Sequence, residues 1–121
     1  MSDFKSLNLN ALIFNAINQL GYTKPTPIQL EAIPHVIDGK DILGIAQTGT
    51  GKTAAFSLPL LNHLCENKLR PAAKEPRALI LAPTRELASQ ITKSLRDYGC
   101  EMEYLSIATI YGRVSIKQQI N

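Results

Sequence analysis

The run Ala46-Gln47-Thr48-Gly49-Thr50-Gly51-Lys52-Thr53 restricts this chain more than any other feature. It closes the apolar stretch Ile42-Leu43-Gly44-Ile45-Ala46 and precedes residues with helical spacing. Glycines at 49 and 51 let the main chain turn so that its N–H groups converge on phosphate oxygens, and a helix start adds positive potential. A lysine placed as Lys52 reaches the outer phosphates, and a hydroxyl placed as Thr53 ligates magnesium. The strict pattern GxxxxGK[ST] would have glycine at position 46. Alanine fits there if the backbone angle is ordinary. The run therefore implies a nucleoside triphosphate and Mg2+, without naming the base or the reaction. The bland alternative is a glycine-rich turn with an incidental lysine.

Around this loop the pattern alternates. Leu9, Leu12, Ile13, Ala16, Ile17 and Leu20 follow helical spacing, with Asn8 or Asn10 as cap and Gly21 as stop. A second helix is predicted from Thr26, with Pro27 at its first position, Pro34 as a kink and Gly39 after its end. A third is predicted from about Gly51 to Cys65, and a fourth after Thr84 with Leu87, Ala88, Ile91 and Leu95 on one side. Ile42–Ala46, Arg77–Ala82 and Glu103–Ile110 read as strands. Strands alternating with helices predict parallel pairing through right-handed crossovers, the start of an α/β sandwich. Three strands are few for a parallel sheet, so the chain reads as cut, with an open edge and weak or conditional folding.

Composition narrows the classes. In 121 residues, 45% are hydrophobic, which excludes wholesale disorder, and no apolar run is long enough to span a membrane. The net charge of +3 is compatible with a polyanionic partner without requiring one. Cys65 and Cys100 form no CxxC pair and read as reduced thiols of a cytoplasmic protein.

Gln29 has two readings. Its amide can pair with adenine N6 and N7, which guanine cannot match. Alternatively Thr26 and Gln29 form a capping box, with the amide turned to the backbone. One side chain could alternate between the two.

Gly21-Tyr22-Thr23-Lys24-Pro25-Thr26-Pro27-Ile28-Gln29 resembles the Q motif of DEAD-box RNA helicases. Residues 46–53 match that family's motif I, in which alanine at the first position is usual. Pro83-Thr84-Arg85-Glu86-Leu87-Ala88 matches motif Ia. The resemblance covers nearly the whole chain, and the bacterial RhlE-like group is the nearest within it. It implies a P-loop NTPase (RecA-like) three-layer αβα sandwich with an incomplete parallel sheet. Residues 1–40 would be a helical region with the Q motif, and 41–121 part of the first RecA-like domain. It further implies ATP and Mg2+ as cofactors and RNA as partner. Gln29 would recognise adenine and Phe4 would stack on it. Tyr22 and Lys24 belong to the same motif, and Thr48, Gly49, Thr50, Gly51, Lys52 and Thr53 would hold the phosphates.

Motif Ia implies that Pro83, Thr84 and Arg85 contact the RNA backbone. From the residues alone, Thr84 as helix cap with Arg85 paired to a carboxylate such as Glu86 is the other reading. Gly112 and Arg113 stand where the family carries a glycine doublet. Arg113 would strain a positive backbone angle or add a phosphate contact. Lys68, Arg70, Lys74 and Arg77 read as a solvated loop.

No apolar strand ends in Asp or Glu, so the carboxylate that holds magnesium through water is not found. The resemblance implies that it lies beyond Asn121, with a second RecA-like domain, and that these 121 residues are catalytically silent alone. A non-enzymatic nucleotide- or RNA-binding module, a P-loop small-molecule kinase and a DNA helicase are the competing readings.

Overall fold

Local chemistry starts and stops each helix. In the computed structural model, residues 3–67, 72 and 74–112 are described. A 3₁₀ turn over Phe4–Leu7 opens the chain, capped by the Asp3 carboxylate on Ser6 N. Helix α1 (Ala11–Gln19) begins where the Asn10 side chain accepts from Leu12 N at 3.0 Å. It ends at Gly21, whose φ of +82° suits a residue without Cβ. Helix α2 (Pro27–Ile37) has Thr26 as N-cap and Pro27 at its first position, where a missing N–H breaks no bond. Helix α3 (Lys52–Glu66) starts at Gly51 in a left-handed conformation, and α4 (Arg85–Tyr98) is capped by the Thr84 hydroxyl on Leu87 N.

Helix α3 is the hub and packs against α1, α2 and α4. Ile13 and Ile17 of α1, Ile33 of α2, Leu58 and Leu61 of α3, and Ile91 and Leu95 of α4 meet in one apolar cluster. Phe4 and Leu7 close one side of it. Burying an aliphatic side chain of this kind contributes roughly 1.5–3 kcal/mol, so the cluster dominates the stability. Asn62, buried on α3, accepts from Asn10 N at 2.6 Å and fixes the start of α1.

The expected parallel-sheet αβα sandwich is corrected by the structure. Its regular elements are all helical, and the described residues contain no strand. Segments 40–47, 78–82 and 105–111 carry no regular assignment, and no backbone hydrogen bond joins one to another among the described residues. An apolar run supplies the faces of a strand, but a strand exists only where a neighbour completes its ladder. The sequence supplied the faces alone. Ile80, Ala82, Leu105 and Ile107 pack on the helical core, while Leu79, Leu81, Leu43 and Ile45 face outward. Leu43 is 88% exposed and Leu81 84%.

Neither cysteine is in a disulfide; Cys65 is buried and Cys100 exposed. Among the described residues no helix is long and apolar enough to cross a membrane, and no cluster of His, Cys, Asp or Glu is built to hold a metal ion.

Candidate functional site

The phosphate loop leads directly into α3. Gly49 and Gly51 have φ of +84° and +85°. Gly51 is the N-cap and offers no side chain, so the first amides of α3 receive no capping oxygen from it. Thr84 and Asn10, by contrast, cap their helices with side-chain oxygens. Amides left open at a glycine-rich turn fit an anionic oxygen ligand, and the donor set thus fits a phosphate chain. Lys52 Nζ donates to the Ala46 carbonyl at 2.6 Å, folding the ammonium back over the loop. Thr50 Oγ1 donates to Gln47 O at 2.6 Å. Thr48 and Gly49 are exposed at the turn, and Thr53 is half-buried in the first turn of α3.

Gln29 meets this loop from α2. It is buried, at 6% exposure. Its Oε1 accepts from Thr26 N at 3.0 Å, and its Nε2 donates to Gly51 O at 3.1 Å. The amide thereby ties the α2 cap to the end of the phosphate loop. The Thr26 hydroxyl lies in the capping-box position over the Gln29 N–H, yet forms no cap hydrogen bond, and its oxygen is buried without a partner.

The aromatic members of the expected base site cluster behind α2. Phe4 is 3% exposed and stacks on Tyr22, with ring centroids 6.5 Å apart. Tyr22 reaches Tyr98 of α4, their hydroxyls 3.4 Å apart. Burial, and then the Tyr22 hydroxyl, push the Tyr98 phenol well above its ordinary value. Lys24 is exposed on the connection. Tyr98 was not singled out from the sequence. The signal was available in Ile91, Leu95 and Tyr98, whose spacing puts all three on the apolar face of α4.

Pro83, Thr84 and Arg85 form a separate corner. The Arg85 guanidinium donates to Gly112 O at 2.6 Å rather than pairing with Glu86. Thr84, Arg85, Tyr111 and Gly112 line a cleft of about 280 Å³. Arg113, with Lys68 and Arg70 of the polar loop, lies outside the described residues.

Comparisons with known proteins agree with the motifs. The family model of DEAD/DEAH box helicases matches residues 26–121. The chain belongs to that family. It is 51% identical over 109 residues to the ATP-dependent RNA helicase DeaD of Escherichia coli (strain K12), covering 90% of this chain and 16% of that protein. It is 50% identical over 109 residues to the ATP-dependent rRNA helicase RRP3 of Meyerozyma guilliermondii, covering 90% of this chain and 22% of that one. The crystal structure of the RNA-helicase Prp28 from Chaetomium thermophilum bound to ADP superimposes with a TM-score of 0.86 at 39% identity, over 98% of this chain and 29% of that one. A DEAD box protein from Methanococcus jannaschii gives 0.84 at 40% identity, over 97% of this chain and 31% of that one. The chain thus spans about a sixth to a fifth of the length of these two curated relatives.

Proposed function

We propose that this chain carries the nucleotide-gripping and strand-contacting surface of an ATP-dependent RNA helicase. Its ligands are ATP with Mg2+ and an RNA strand, it works with a second RecA-like domain, and it acts in the cytoplasm. The RhlE-like assignment within the family is part of the proposal and rests on the motifs alone, since several of the relatives carry the name DeaD.

The observation that carries the reading is the Gln29 amide, buried between Thr26 N and Gly51 O. A base-selective group held against the phosphate loop is what a purine nucleotide requires. To read adenine, Gln29 exchanges one of these bonds for the base edge. The open amides at the start of α3 receive phosphate oxygens, Lys52 turns from Ala46 O to the outer phosphates, and Thr53 is the hydroxyl that would hold Mg2+. When bound, Mg-ATP supplies the phosphoanhydride that hydrolysis cleaves. No apolar strand-like run of the sequence ends in the Asp or Glu that would orient the attacking water, so binding without turnover is expected of these 121 residues.

Isothermal titration of ADP, ATP and GDP into the folded chain tests this. Expected are uptake of ADP and ATP, weaker uptake of GDP, and loss of all three in Lys52→Ala. Absence of uptake at millimolar nucleotide, or equal affinity for ADP and GDP, overturns the reading.

A further inference from the structure

The outer side of α4 carries a line of polar side chains that starts at the Thr84–Arg85 corner and runs on beyond it. Arg85, Ser89, Thr92 and Arg96 follow one another at steps of four, three and four, so they share one stripe of the helix. The stripe borders a cleft of about 510 Å³, lined by Ser89, Thr92, Lys93, Arg96, Asp97, Thr109 and Tyr111. Tyr111 also lines the smaller cleft beside Arg85, so the two share a wall.

The chemistry of this cleft suits a sugar–phosphate backbone. Ser89 and Tyr111 share a hydrogen bond of 2.7 Å, as do Thr92 and Thr109. Thr92 also donates to Ala88 O, so both hydrogens of the Thr92–Thr109 pair are committed and that pair can only accept, as from a ribose hydroxyl. Lys93 is neutralised by Asp97 at 3.1 Å. Arg96 has no hydrogen bond or ion pair to any described residue, which leaves a guanidinium at the cleft margin. Arg85 and Arg96 are eleven positions apart, or about 17 Å along the helix, more than one nucleotide step. A docking protein would want an apolar anchor, whereas this lining is mostly hydroxyl and charge.

We propose that a single strand of nucleic acid held at Thr84 and Arg85 continues over Tyr111 onto this stripe, where Arg96 takes a further backbone phosphate. The proposal rests on the reading of Thr84 and Arg85 as strand contacts.

Fluorescence anisotropy with labelled oligouridylates tests it, using one oligomer short enough for the Arg85 cleft and one long enough for both. The unsubstituted chain should bind the longer oligomer more tightly and with a steeper salt dependence. In Arg96→Gln, with circular dichroism matched to the unsubstituted chain, the slope of log K against log salt should fall by about 0.7 on the long oligomer and stay unchanged on the short one. Arg96→Lys should restore it. Arg85→Gln should weaken both. An unchanged slope for Arg96→Gln on the long oligomer, with Arg85→Gln still impaired, overturns the extension alone. Failure of the unsubstituted chain to bind either oligomer overturns the strand-contact reading and the extension with it.

Discussion

Gln29 and Gly51 are joined by a hydrogen bond of 3.1 Å from the side-chain amide to the main-chain carbonyl, across 22 positions of sequence. The same amide closes the cap of α2 through Thr26 N. Gln29→Ala removes both bonds; Gly51 O keeps the Ala55 N–H, but the part-buried Thr26 N–H is left unmet, which costs about 1–3 kcal/mol. Urea unfolding in the absence of nucleotide should show a lower midpoint. An unaltered midpoint would mean that the bridge contributes nothing to the folded state.

The two loop glycines separate backbone strain from collision. Both have positive φ, so alanine at either costs about 1–2 kcal/mol. At Gly49 an added Cβ meets open space, whereas at Gly51 it runs into Gln29 Nε2 and lies 3.1 Å from Thr26 Oγ1. Gly51→Ala is therefore the more damaging of the two. Combined with Gln29→Ala, it should lose less stability than the sum of the single changes, because the colliding amide is gone. Additive losses in that double-mutant cycle would contradict the contact.

Tyr98 gives the fold a signature in alkaline solution. Burial raises its folded pKa above the unfolded value near 10. The folded state therefore holds the phenolic proton more tightly. Stability from this residue is complete below about pH 10 and declines as pH rises towards the folded value, by up to about 1.4 kcal/mol per pH unit. In unfolding titrations from pH 9 to 11, the difference between the unsubstituted chain and Tyr98→Phe should shrink as the pH rises. A constant difference would show that this phenol titrates normally.

The outward leucines of segment 78–82 add nothing to the core. Leu79→Thr with Leu81→Thr should lower light scattering and binding of an apolar dye, with a change in unfolding free energy within about 0.5 kcal/mol. Ile80→Ala, on the inward side, should destabilise by roughly 2 kcal/mol or more. If Leu79 and Leu81 proved as costly to replace as Ile80, the alternation of this segment would be misassigned.

The four helices and their starts were legible in the sequence because those boundaries are set locally. Asn10 and Thr84 cap amides within their own first turn, Pro27 takes the first position of α2, Gly51 turns left-handed before α3, and Gly21 and Gly39 adopt positive φ where α1 and α2 stop. The expected strands failed for the opposite reason. Ile42–Ala46, Arg77–Ala82 and Glu103–Ile110 have apolar residues, but pairing depends on lateral neighbours that no local pattern specifies. At the candidate site the sequence singled out Gln29 and left its partners open. The structure gives it the cap of α2 and, in addition, the carbonyl of Gly51, a contact between segments far apart in the chain. The same holds for Arg85, whose partner is a distant carbonyl rather than the adjacent carboxylate. The burial of Phe4 against Tyr22 likewise depends on tertiary packing.

Lys52 rests on the Ala46 carbonyl. A polyanion arriving at this loop consequently meets an ammonium that already has an oxygen to hold, and binding is an exchange of acceptors rather than capture by a bare charge. One oxygen merely replaces another. On the proposed function, a tail that presents several oxygens at once to the ammonium and the open amides should gain more than it displaces, and lone inorganic phosphate should compete poorly for the loop.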